Sequence, residues 1–117
     1  MDTMTLIDPE AVEQIRVVER AIGRNDLFSG LITKLEGNLH GFGPAWLDLM
    51  SRGDTAGATR AAHTLKGTCR QLGAVALGEL FEGIEASAKA GDYDAAKRKF
   101  DAGGSLIAES LEALKRA

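Results

Sequence analysis

Two histidines and one cysteine, His40, His63 and Cys69, are the strongest nitrogen and sulfur nucleophiles in this chain of 117 residues. Of the three, His63 has the neighbours that suggest chemistry. Lys66, Gly67 and Arg70 follow it at i+3, i+4 and i+7, so on a helix all four share one face. At about 100° per residue, His63 lies roughly 140° from the centre of its helix's apolar seam and points outward. A solvent-facing imidazole beside two cations suits a group that gains negative charge. A phosphorylated ring nitrogen is such a group, adding about two negative charges that Lys66 and Arg70 could partly neutralise. Gly67 strengthens the pattern. A glycine inside a helix costs about 1 kcal/mol relative to alanine, and on an outward face internal packing gives little reason for it. It removes a side chain where an incoming partner would meet bulk.

Other chemistries fit less well. Cys69 falls on the apolar seam, and no spacing gathers three ligands for a metal. No elbow motif presents a nucleophilic serine to a histidine. The glycines sit singly on helices and not in a phosphate-cradling loop before one. His40 faces outward on a different helix, away from any cluster, and reads as a surface residue.

The elements that must position His63 can be read from caps and periodicity. Helices are expected over 9–22, 26–52, 55–72, 75–90 and 93–116. Asp8 caps the first, Pro9 takes its first position, and Gly23 ends it. Its expected buried residues are Ile15, Val18 and Ile22. The second carries Phe28, Ile32, Leu35, Leu39, Phe42, Trp46 and Leu49 at alternating spacings of four and three. That phase runs unbroken through Gly37, Gly41, Gly43 and Pro44, which implies one long helix kinked near Pro44. Asp54 caps the third, whose seam is Ala58, Ala62, Leu65, Cys69 and Leu72. Leu77, Leu80, Phe81, Ile84 and Ala88 line the fourth. Asp92 caps the fifth, with Tyr93, Ala96, Phe100, Gly103, Ile107, Leu111 and Leu114 inward; Gly103 is expected to permit close packing, while Gly104 has no such account. Short connections make consecutive helices antiparallel. The expected fold is all-α: an antiparallel up-down-up-down four-helix bundle with an additional N-terminal helix, in a single domain over 1–117.

Composition agrees. Proline is scarce, and Ala, Leu, Glu and Lys are plentiful, favouring helices over strands. The net charge of −3 and the lack of any basic block beyond Lys97-Arg98-Lys99 argue against nucleic acid. One cysteine cannot form an internal disulfide. Residues 1–5 are polar and acidic without a signal-peptide pattern, and no apolar run could cross a bilayer. A soluble, cytoplasmic, monomeric protein is expected.

The run His63-Thr64-Leu65-Lys66-Gly67-Thr68-Cys69-Arg70-Gln71-Leu72-Gly73 resembles the H-x-x-K-G-x-x-x-x-x-G signature of histidine-containing phosphotransfer (HPt) domains. Gly53-Asp54, Leu80-Phe81-Glu82-Gly83-Ile84-Glu85 and Gly91-Asp92 are similar to the family at matching spacing. The resemblance implies that His63 is the phospho-acceptor, that Lys66 assists it electrostatically, and that Gly67 clears room for a receiver domain's active-site loops. It implies supporting roles for Glu85 and Lys89 near the imidazole or phosphoryl group, and phosphorylation at Nε2. The expected partners are response-regulator receiver domains and a hybrid histidine kinase. No cofactor is expected on this chain; the divalent metal, Mg2+, would belong to the receiver. The glycine content of the second helix and the pair Gly103-Gly104 depart from the family's habit.

Two rivals remain. In the phospho-acceptor region of a sensor kinase, an acidic residue typically follows the histidine, whereas Thr64 stands here. A phosphoryl carrier without ATP-dependent kinase activity therefore fits better. A non-catalytic helical adaptor is the alternative, but it would have no need of His63, Lys66 and Gly67 together.

Overall fold

The computed structural model describes residues 6–117; the segment read for a signal peptide lies outside the described residues. The described residues fold into six helices: α1 Pro9–Ile22, α2 Leu27–Ser51, α3 Thr55–Gln71, α4 Val75–Lys89, α5 Tyr93–Ala102 and α6 Gly104–Arg116. No strand occurs among them.

Local chemistry sets these boundaries. The Asp8, Asp54 and Asp92 side chains accept the amides of Glu10, Gly57 and Ala95 at 3.0, 2.8 and 3.0 Å, satisfying donors that the first turn leaves orphaned. Helix α2 starts differently. Asp26 makes no side-chain cap; the Glu19 carboxylate reaches across from α1 and accepts the Phe28 amide at 2.8 Å. Arg16 donates to the same carboxylate at 3.0 Å and to the Ala117 carbonyl at 3.2 Å, with its guanidinium 4.7 Å above the Phe28 ring. The buried Glu19 thus joins α1 to α2, and its partner Arg16 ties in Ala117.

That cap corrects the expected face of α1. Val12 and Glu19 are its buried residues, Ile15 is half-buried, and Val18 and Ile22 are 47% and 55% exposed. The stripe runs 12–15–19 rather than 15–18–22, because the docking edge ends on a carboxylate that has an amide to satisfy. Helix α2 continues through Pro44, whose ring faces solvent, and buries Phe28, Ile32, Leu35, Leu39, Phe42, Gly43 and Trp46.

The expected helix over 93–116 is two helices. Gly103 separates α5 from α6, and its amide bonds to Phe100 O at 3.0 Å, one residue short of the α-helical partner. A Cβ at Gly103 would lie 2.6 Å from Leu80 Cδ2. Two consecutive glycines are the weakest point of a helix, and the break lets bare backbone press against α4. Gly104, by contrast, faces open space.

The core is centred on Phe42, which packs against Trp46, Phe81 and Phe100 at centroid separations of 5.6, 5.1 and 5.3 Å. Trp46 is fully buried and donates its indole N–H to Ala58 O at 3.2 Å, fixing α2 against α3. Truncating such a residue to alanine costs about 3–5 kcal/mol. Helices α3 and α4 meet through the turn at Gly73, whose φ of 85° suits a residue without Cβ. Its carbonyl also accepts the Asp8 amide at 2.7 Å. This turn sets the register that brings His63 to α4.

Candidate functional site

Helices α3 and α4 run antiparallel from that turn, so residues equally far from Ala74 face each other. His63 thereby meets Glu85, its Nδ1 lying 3.0 Å from Glu85 Oε2, and Arg70 meets Gly78. The phase that buries Ala62 and Leu65 turns His63 outward, and its side chain is 64% exposed.

Glu85 is the organising group. Its second oxygen, Oε1, lies 2.7 Å from Lys66 Nζ, and both side chains are mostly covered. Lys66 holds the Glu85 carboxyl below its ordinary range; partial burial opposes this, and the contact with His63 adds to it. Glu85 is therefore ionised near neutrality. An ionised carboxylate only accepts hydrogen bonds, so Nδ1 carries the proton in the neutral ring. Nε2 then keeps its lone pair on the far side of an exposed imidazole. The arrangement can present a nucleophilic ring nitrogen, and can stabilise positive charge that appears on the ring once that nitrogen forms a bond.

Gly67, one turn along, is exposed, and a Cβ there would meet nothing within 4 Å. Nothing among the described residues requires glycine at that position. The structure places Arg70 elsewhere than the sequence suggested. Its guanidinium donates to Glu82 at 2.5 Å, and its stem lies across Gly78, where a Cβ would come 2.8 Å from Arg70 Cγ. Lys89, one turn beyond Glu85, is exposed and forms no ion pair among the described residues. His63, Lys66 and Glu85 are brought together, Gly67 borders them, and Arg70 and Lys89 are not held at the imidazole.

Sequence reasoning missed Glu82 and Gly78 as the partners of Arg70. Counting outward from Ala74 would have found Gly78, and Glu82 stands one turn further. Cys69 is buried, and burial pushes its thiol pKa up to about 12, leaving it inert. His40 is exposed on α2, remote in sequence from the cluster.

The family described as Hpt domain matches residues 9–117. The sensor histidine kinase AruS of Pseudomonas aeruginosa is 34% identical over 106 residues, covering 90% of this chain. The chain spans 10% of that protein's length. No solved structure shows a significant match.

Proposed function

The chain belongs to the Hpt domain family, a family of histidine phosphotransfer modules in two-component signalling, and from that membership we propose that His63 carries the phosphoryl group. His63 takes it from the aspartyl phosphate of one receiver domain and passes it to the aspartate of another. The observation that carries this reading is the Glu85 contact at Nδ1, 3.0 Å long, which leaves Nε2 as the exposed nucleophile.

In the forward step the Nε2 lone pair attacks phosphorus in line. The P–Nε2 bond forms as the P–O bond to the aspartyl carboxyl breaks, and the receiver's aspartate leaves as a carboxylate. No proton has to move. The ring becomes a phosphoimidazolium with its proton still on Nδ1, and the Glu85 carboxylate faces the new positive charge. Lys66 keeps that carboxylate ionised and in place. Transfer of this kind depends on positioning and charge stabilisation more than on covalent help from the protein. Gly67 leaves the receiver's loops room beside Nε2.

The divalent metal, Mg2+, sits in the receiver's acidic pocket in this reading, and this chain binds no cofactor. It acts as a cytoplasmic monomer, without ATP-dependent kinase activity, and the likeness to AruS supports a histidine kinase as the ultimate phosphoryl source. No helix among the described residues is long and apolar enough to cross a membrane.

The test is incubation with phosphorylated receivers. Wild-type protein gains acid-labile, base-stable label, His63→Gln gains none, and His40→Gln labels normally. Label retained in His63→Gln would place the acceptor elsewhere. Self-labelling of the pure protein by ATP and magnesium would replace the carrier reading with a kinase.

A further inference from the structure

The two sides of His63 differ in charge. On the α4 side, the two α3 cations that share the His63 face are already matched: Lys66 by Glu85, and Arg70 by Glu82. These four charges cancel, so neither α3 cation is uncompensated for a phosphoryl group arriving with about two negative charges; Lys89 of α4, unpaired among the described residues, stands one turn beyond Glu85. The Nδ1 contact also turns that edge of the ring toward α4, and the Nε2 lone pair leaves on the other side.

Arg60 occupies that other side. At about 100° per residue, Lys66 lies roughly 60° around α3 from His63 in one sense, while Arg60 and Gly67 lie about 60° and 40° away in the opposite sense. The contacts agree with this: Lys66 meets Glu85 on α4, whereas Arg60 and Thr64 border the groove between α2 and α3 with Gly37, Gly41 and Trp46. Arg60 is exposed and has no ion pair among the described residues. Its helix-surface neighbours are Ala56, Gly57, His63 and Thr64, none acidic. The nearest carboxylate on the groove wall, Asp54, is occupied in capping the Gly57 amide.

Building on the reading of His63 as phospho-acceptor, we propose that Arg60 is the guanidinium that contacts the phosphoryl oxygens on Nε2, and that Arg70 is not. Arginine suits this role because its planar fork donates two parallel hydrogen bonds to phosphate oxygens. At i−3, Arg60 is a helix-surface neighbour of His63, within the reach of a long side chain across one turn. Gly67, one turn beyond His63 on the same side, leaves the space next to the ring free of side chain.

The experiment labels the full chain with phosphoramidate, which needs no receiver: its P–N bond breaks, ammonia leaves, and P–Nε2 forms. The side-chain Nε–H resonances of the arginines and the half-life of the label are then followed by NMR. The Arg60 resonance moves on labelling while that of Arg70 stays. Arg60→Gln shortens the half-life at least about threefold with an unchanged Tm, Arg60→Lys restores part of the loss, and Arg70→Gln leaves it within about 1.5-fold. Movement of the Arg70 resonance instead, or a wild-type half-life in Arg60→Gln, overturns the assignment. So does an Arg60→Gln protein with normal label lifetime but slow transfer from a receiver, since Arg60 would then grip the partner and not the phosphoryl group. Failure of wild-type His63 to take label overturns the acceptor reading, and this one with it. Normal labelling without any effect at Arg60 overturns this one alone.

Discussion

Glu85 reaches from α4 to the Nδ1 of His63, and the same carboxylate binds Lys66, so one side chain sets both the orientation of the ring and the position of Lys66. Its chemistry separates two roles that a single deletion would blur. Glu85→Gln keeps an oxygen that can accept a hydrogen bond from Nδ1–H but loses the negative charge. Glu85→Ala loses both. A charge-assisted hydrogen bond contributes about 1.5–3 kcal/mol, and about 1.4 kcal/mol is a factor of ten in rate. Glu85→Ala is therefore expected to slow transfer from a phosphorylated receiver by at least about tenfold, with Glu85→Gln falling between it and wild type. Quench-flow transfer assays decide it: equal rates for wild type and Glu85→Ala would remove Glu85 from the mechanism.

The second prediction concerns acid stability and Glu19. The Phe28 amide, followed by Arg16, holds the Glu19 carboxyl below its ordinary value of 4.5. A carboxyl whose folded pKa is depressed contributes stability that is present above its unfolded value and lost as pH falls through the folded one. Replacement by glutamine, which does not titrate, should thus lower Tm by about 3–8 °C at pH 7. The gap between the two proteins should narrow as pH is taken below 4.5. Thermal melts at pH 7 and pH 3 measure both. A gap of constant size would mean that the ionised carboxylate is not what caps α2.

The same residue shows where sequence reading stopped. Seams of α2 and α3 were legible because each has a single apolar phase, from Phe28 to Trp46 and from Ala58 to Leu72. Helix α1 offers two, and Ile15, Val18 and Ile22 form the more apolar. The choice between them was made by a polar group, since the α2 amide needed an acceptor and Asp26 did not supply one. That need arises only once α1 and α2 are packed together. The outward direction of His63 followed from phase alone, and the signature singled out Lys66 and Gly67 beside it. Arg70 shared their face, yet helical phase cannot see the facing helix, and Glu82 of α4 claims its guanidinium.

A third prediction separates the paired glycines. Gly103→Ala brings a methyl to 2.6 Å from Leu80 Cδ2 and 3.3 Å from Lys99 O, so the Leu80 side chain must turn aside or the backbone shift, and overpacking of this kind costs about 1–3 kcal/mol. Gly104→Ala meets nothing within 4 Å and gains helix propensity worth up to about 1 kcal/mol. Denaturant midpoints should therefore move in opposite directions, Gly103→Ala downward and Gly104→Ala upward. Equal shifts for the two would mean that Gly103 is not held by its contact with Leu80.

The fourth prediction concerns Gly67, where folding and transfer make opposite demands. A side chain at this position meets open space, and glutamine is a better helix former than glycine by several tenths of a kcal/mol or more. Gly67→Gln is expected to fold normally and to melt at the same temperature or slightly higher. Its transfer rate should nevertheless collapse, because the new side chain fills the approach to Nε2 that the proposed transfer requires a receiver to take. Gly67→Ala, with a single methyl, should fall between the two. Lys66→Ala behaves differently: the surface stays open and docking persists, but Glu85 loses its strongest partner, so transfer slows or the phosphohistidine lifetime shortens. Measuring Tm, receiver affinity and transfer rate for all three variants separates these effects. Loss of folding in Gly67→Gln would make the glycine a packing residue. Normal folding with normal transfer would mean that the receiver does not approach across this face of α3.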